Sequence, residues 1–146
     1  MKKKYYIVSG GFDPIHEGHI SLIRESVKLS DGVIVLINSD AWLERKKGKF
    51  FQSFNTRKII CENIKGVILA IDFDDTDNSA SDGIYKVRKL FPNDDLYFAN
   101  GGDRTSQNIR EENICKQCNV EMVFGIGGDN KANSSSWILK NWETKK

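Results

Sequence analysis

A chain of 146 residues with 39% hydrophobic and 29% charged side chains has enough apolar material for one substantial core and is not disordered in composition. Its formal net charge of +2 gives no electrostatic reason to expect nucleic acid or a membrane surface as partner. The odd set of cysteines, Cys61, Cys115 and Cys118, argues against a disulfide framework, and no run of transmembrane length is present, so the chain reads as cytoplasmic.

The basic start Met1-Lys2-Lys3-Lys4 resembles the first part of a signal peptide, but no apolar segment of the required length follows. Residues 5–9 predict a first strand. The run Gly10-Gly11-Phe12-Asp13-Pro14-Ile15-His16-Glu17-Gly18-His19 comes next and holds both histidines of the chain. Residues 18–29 predict a helix with Ile20, Ile23 and Val27 on its buried side. The β-branched run 33–37 predicts a strand covered on both faces, followed by Asn38-Ser39-Asp40. The basic stretch 44–49 reads as a loop carrying Lys46, Lys47 and Lys49. Residues 55–64 predict a helix capped by Asn55 or Thr56.

A third strand is expected over 66–71, an acidic loop over 72–77 and a helix over 81–90. The fourth strand, 95–99, ends in Asn100-Gly101-Gly102-Asp103. A helix over 106–118, a strand over 120–124 and a helix over 135–142 complete the pattern. Cys115-x-x-Cys118 falls in a predicted helix without a second cysteine pair or a spare histidine, which favours two free thiols over a metal or redox half-site. Strand and helix alternate throughout, so residues 1–146 are read as one doubly wound α/β domain with a five-stranded parallel sheet. In such folds ligands sit beyond the C-terminal strand ends. The glycine, histidine and serine clusters all fall on that edge.

His16-x-Gly18-His19 places two imidazoles three residues apart at a helix start. A helix N-terminus offers N–H groups and partial positive charge to an anion, and imidazoles add directional donors. Gly101-Gly102 allows a tight turn beside a flat base, where Asp103 can accept a hydrogen bond or simply cap a helix. Ser134, Ser135 and Ser136 offer hydroxyls and a helix start to phosphates, or plain capping. Arg57 can fork onto a phosphate or pair with a carboxylate. Trp42 can pack on a sugar, although a core or interface role suits it as well.

The run from Gly11 to His19 resembles the signature of the cytidylyltransferase-like nucleotidyltransferases, whose hallmark is His-x-Gly-His. Asn38-Ser39-Asp40, Lys47-Gly48, Arg57 and Gly101-Gly102-Asp103 resemble the heptose 1-phosphate adenylyltransferase branch, and Ser134-Ser135-Ser136 resembles a serine–threonine signature of the superfamily. The resemblance covers residues 4–142 and implies a Rossmann-like, three-layer α/β/α fold. It implies a nucleoside triphosphate over His16 and His19, with Gly11, Phe12, Gly18, Gly102, Asp103 and the serine triplet binding the nucleotide. Lys46 and Lys47 join the histidines as catalytic candidates, and Asp13, Asp40, Lys46, Lys49 and Arg57 form the substrate-binding set. The phosphate of a small acceptor would attack the α-phosphorus in line, with Mg²⁺ bridging phosphate oxygens rather than protein side chains. ATP with heptose 1-phosphate is the first expectation and CTP with glycerol 3-phosphate or another alcohol phosphate the second. Asn100 stands where the heptose enzymes commonly carry a lysine. Related enzymes are often dimers, and Trp137 and Trp142 are candidates for a homodimer contact. A non-catalytic nucleotide-binding module is the competing class.

Overall fold

The structure is a computed structural model that describes residues 2–101, 110–127 and 135–144. Along the chain run β1 (Lys4–Gly10), α1 (Glu17–Lys28), β2 (Gly32–Ile37), α2 (Asp40–Lys47), α3 (Phe54–Glu62) and β3 (Val67–Ile71). They are followed by α4 (Ser81–Leu90), β4 (Asp95–Gly101), α5 (Glu112–Gln117), β5 (Glu121–Ile126) and α6 (Ser135–Thr144). The five strands pair in the order β3-β2-β1-β4-β5, and every pairing is parallel. The chain winds outward from β1 to β3, then crosses back to place β4 on the other side of β1. That reversal makes the β1–β4 junction the switch point of the sheet.

Alternation along β1 sets the two cores. Ile7 faces α4 and α5 with Ile34, Leu36, Ile84, Val87, Phe98 and Cys115. Tyr6 and Val8 face the opposite layer with Val33, Val35, Ile23 of α1 and Cys61 of α3. All residues of β2 are buried, as its continuous apolar run requires of a strand with helices on both sides. On α4, Gly83 seats the helix against Leu36, whose Cδ1 lies 2.7 Å from where a Cβ would stand. Arg88 staples the far end of the sheet by donating to the carbonyls of Cys118, Phe91, Asp94 and Asn119.

Four local expectations are corrected. Lys46 and Lys47 are not on a loop: Ser39 caps α2 by accepting the Trp42 N–H at 3.0 Å, and left-handed Gly48 closes it. Ser53, not Asn55 or Thr56, caps α3. Ile20 stays 36% exposed on α1, and Ser26 takes the buried position. Of the helix expected over 106–118, residues 106–109 lie outside the described residues, and within the remainder the helix is Glu112–Gln117. Cys115 and Cys118 are free; burial pushes the Cys115 thiol up to about 12, which suits an inert core position.

Candidate active site

Parallel pairing brings the C-terminal ends of the strands to one edge. β1 ends at Gly10, and the chain turns at once through Gly11 and Phe12. Phe12 adopts φ 53, a left-handed conformation uncommon outside glycine, and its ring is buried. Gly11 lets α2 come close: a Cβ there would stand 2.9 Å from Leu43 Cδ2, which would have to shift.

The histidines close the N-terminus of α1 as a capping box built from imidazoles. His16 is the N-cap residue, and its Nδ1 accepts the Gly18 N–H at 3.0 Å. His19, three residues on, accepts the His16 N–H on its own Nδ1 at 3.2 Å. The second is the bond that Glu makes in the usual capping box, and the first is an N-cap bond to the amide one position earlier than usual. The rings lie 4.0 Å apart, and Phe12 packs on His19 at 4.8 Å. A Cβ at Gly18 would stand 2.9 Å from His16 Cε1, so the glycine between the histidines lets the first ring fold back. Because each Nδ1 accepts, each neutral ring carries its proton on Nε2. Burial, then the charges of His16 and Lys47, lowers the His19 pKa to about 3, so this ring is neutral at physiological pH.

Lys47, in the last turn of α2, donates to the Asp13 carbonyl at 2.9 Å, which holds its ammonium over the histidine loop. Desolvation, against the raising effect of Asp13, lowers its pKa. Lys46 lies over the Trp42 ring at 4.7 Å. Lys49 is exposed beyond the end of α2.

Three members of the expected substrate-binding set have structural partners instead. The Asp13 carboxylate is buried and accepts the N–H groups of Phe51 and Gln52, both at 2.6 Å. Arg57 has no exposed surface. Its guanidinium donates to the carbonyls of Gln52, Gly11 and Asn38 and to the Asp40 carboxylate at 2.6 Å. A phosphate fork needs outward N–H groups, and these are directed into the protein. Asp40 is thereby committed to Arg57. The three residues are held by these partners within the fold, and the Asp40 side chain stays partly exposed.

Sequence reading missed Asp75. Its buried carboxylate accepts from Asn38 Nδ2, Ser39 N–H and Ser39 Oγ at 3.1, 2.8 and 2.9 Å. It thus fixes the cap of α2, and the acidic run around it gave no sign of which carboxylate turns inward. Glu111 was also missed; it accepts the Ala80 N–H at 2.7 Å and ties the start of α4 to α5. At the end of β4, buried Asn100 donates to the carbonyls of Phe98 and Val123.

The structure thus brings Gly11, Phe12, Asp13, His16, Gly18, His19, Asp40, Lys46, Lys47 and Arg57 around one loop. Gly102, Asp103 and Ser134 lie outside the described residues, as do the side chains of Ser135 and Ser136, which open α6. Among the described residues no group of three or more His, Cys, Asp or Glu side chains is placed to hold a metal. The carboxylates of Asp13 and Asp40 are engaged as described. A broad groove of about 1490 Å³ opens at the other end of the strands, beside Arg88, Asp94 and Cys118, away from the histidines. No helix among the described residues is long and apolar enough to cross a membrane.

Comparison with known proteins places this geometry. The Cytidylyltransferase-like family matches residues 7–141. The Bifunctional protein HldE of Haemophilus influenzae is 30% identical over 131 residues, covering 81% of this chain and 27% of that protein. Its counterpart from an Enterobacter strain is 28% identical with the same coverage. The chain therefore spans about 27% of the length of these curated relatives. A lipopolysaccharide core biosynthesis protein from Thermoplasma volcanium shares the fold with a TM-score of 0.63 at 24% identity, covering 90% of this chain and 99% of that one. A putative nicotinate-nucleotide adenylyltransferase from Vibrio parahaemolyticus does so with a TM-score of 0.62 at 18% identity, covering 100% and 90%.

Proposed function

The chain belongs to the cytidylyltransferase-like family of nucleotidyltransferases, and from that premise we propose that it transfers a nucleotidyl group from a nucleoside triphosphate, ATP first, to a sugar phosphate such as heptose 1-phosphate. An oxygen of the acceptor phosphate forms a bond to the α-phosphorus. The bond from that phosphorus to the bridging oxygen breaks, and pyrophosphate leaves. No covalent enzyme intermediate is involved. The reaction is assigned to the cytoplasm.

The observation that carries this reading is the imidazole capping box at the C-terminal end of the central strand. Backbone N–H groups fix both Nδ1 atoms, so the rings are held in orientation and tautomer before a ligand arrives. Donors fixed in advance stabilise charge that builds on transferred phosphoryl oxygens without reorganising during the reaction. The N-terminus of α1 adds positive potential, and Lys47 stands over the same loop. A buried imidazole held neutral can donate from Nε2 and can take up a proton when a polyphosphate comes beside it. The divalent cation in this proposal travels on the triphosphate, whose charge it neutralises; the protein's part is to grip and align the phosphates.

The test is pyrophosphate release from purified protein with Mg²⁺, crossing ATP, CTP, GTP and UTP with heptose 1-phosphate, glycerol 3-phosphate and other phosphates. Release with ATP and heptose 1-phosphate is the expected result. Release only with CTP and glycerol 3-phosphate overturns the sugar-phosphate assignment and keeps nucleotidyl transfer. Nucleotide binding with no release for any pair makes the protein a binding module.

A further inference from the structure

Asp75 and Glu111 hold one short segment by its opposite ends. At the first end, the buried Asp75 carboxylate accepts from Asn38 Nδ2 and from the N–H and Oγ of Ser39, where β2 gives way to α2. Arg45 of α2 adds a second grip by donating to the Asp75 carbonyl at 2.9 Å. At the other end, the buried Glu111 carboxylate accepts the N–H of Ala80, the N-cap residue of α4, at 2.7 Å. In a capping box that acceptor is a Glu three residues into the same helix. That position in α4 is Gly83, which packs closely on Leu36 and has no side chain to offer. The acceptor comes instead from 31 residues away. Between the two ends the segment is braced by its own bonds. The Asn78 N–H donates to the Asp75 carbonyl at 3.0 Å, and the Asp77 carboxylate accepts the N–H and Oγ of Ser79, both at 2.9 Å.

The two anchors belong to opposite sides of the switch point. α2 follows β2 on one side of β1, whereas Glu111 stands between β4 and β5 on the other. Within the sheet, β1 joins these halves by pairing with both β2 and β4. Residues 75–80 connect them a second time, at the edge where ligands bind in such folds. From this arrangement we infer that Glu111 is a positioning residue: acting through residues 75–80 and Asp75, it fixes α2, and with it Lys47, at a set separation from the β4–β5 side of the crevice. A strut needs both of its ends. Cutting either one releases the same constraint, so cutting the second adds no further misplacement. The consequence for catalysis rests on the transfer reaction proposed above, and the strut itself rests on the hydrogen bonds.

The separation is measured apart from turnover. Spin labels go on Glu44→Cys of α2 and Asn113→Cys of α5, both exposed, in a Cys118→Ser background whose remaining cysteines, Cys61 and Cys115, are buried. Pulsed electron paramagnetic resonance reads the distance between them without ligand. Glu111→Ala is expected to shift or broaden the distance distribution. Glu111→Asp, a methylene too short to reach Ala80, does the same with the charge kept. Glu111→Gln, whose amide oxygen still accepts the Ala80 N–H, keeps the parent distribution. In turnover, Asp75→Ala and Glu111→Ala each lower kcat/KM for the acceptor by about 10-fold, and the double variant loses about the same 10-fold. Losses that multiply to about 100-fold in the double variant overturn the strut. So does a distance distribution that neither Glu111→Ala nor Glu111→Asp alters, whether or not pyrophosphate is released. An altered distribution without pyrophosphate release from any substrate pair leaves the strut standing and overturns the transfer reaction instead.

Discussion

Arg57, with no surface exposed to solvent, meets the Asp40 carboxylate at 2.6 Å. The same guanidinium holds the carbonyls of Gly11 and Asn38, so one side chain ties the turn after β1 to the end of β2. Removing it leaves a carboxylate and several carbonyls without their donor, together with a large void. Arg57→Ala is expected to lose about 3–5 kcal/mol, read as a fall in the urea midpoint. Arg57→Lys will not rescue it, because a point ammonium does not span the positions that a planar fork reaches. A midpoint unchanged in the alanine variant would reject this role.

His16 has a structural duty and a proposed chemical one, and asparagine separates them. An asparagine oxygen at the N-cap accepts the same helix N–H, so His16→Asn should keep its melting temperature within a few degrees. Turnover should fall at least about 100-fold, since the imidazole donor is gone. Steady-state kinetics beside a thermal melt decides it; turnover near wild type would remove His16 from the mechanism.

The His19 pKa of about 3 makes folding depend on pH in a defined direction. The unfolded chain carries an ordinary imidazole that takes a proton below about 6.5. The folded chain does not take it until about pH 3, so the unfolded state binds more protons across that window. Stability from this group is complete above pH 6.5 and is lost as pH falls toward 3, at up to about 1.4 kcal/mol per pH unit. His19→Gln keeps the backbone-accepting cap without titrating. Its unfolding free energy, measured by denaturant at pH 7, 6 and 5, should fall less steeply than that of the wild type. Parallel slopes would contradict the neutral, buried imidazole.

Asp75 positions α2 through Ser39. Asp75→Ala leaves three donors without an acceptor, at a cost of about 1–3 kcal/mol or more. The amides of Trp42 and Leu43, which Ser39 caps, should then exchange hydrogen faster than those of α4. Acceptor KM should rise through the displaced Lys47 of the same helix. Uniform exchange rates across both helices would reduce Asp75 to a general stabilising role.

The sheet was readable because its signals are local. A run such as Val33-Ile34-Val35-Leu36-Ile37 specifies a doubly covered strand without reference to the rest of the chain. The histidine turn was readable for the same reason: cap, glycine and strand end lie within ten residues. α2 was not, because one buried residue, Leu43, makes almost no amphipathic pattern and the lysines masked it. Ser39 and Gly48 were the available signals, one at each end. Arg57 and Asp75 escaped for a different reason. Gln52 apart, five residues before Arg57, their partners lie 17 to 46 residues away, and nothing in a sequence distinguishes a charge that turns inward from one that meets solvent. Asp13 and Asp40, expected on the ligand, are each held by a partner within the fold.

The central place of β1 also governs how the chain assembles as it leaves the ribosome. Of the five strands, the one made before the others is the one with neighbours on both sides, at Gly32–Ile37 and at Asp95–Gly101. The edge that will meet β4 stays open until synthesis has passed the latter segment. During that interval it is an unpaired template for strands of other chains. Slow translation is therefore best tolerated after residue 101, when the middle of the sheet has closed.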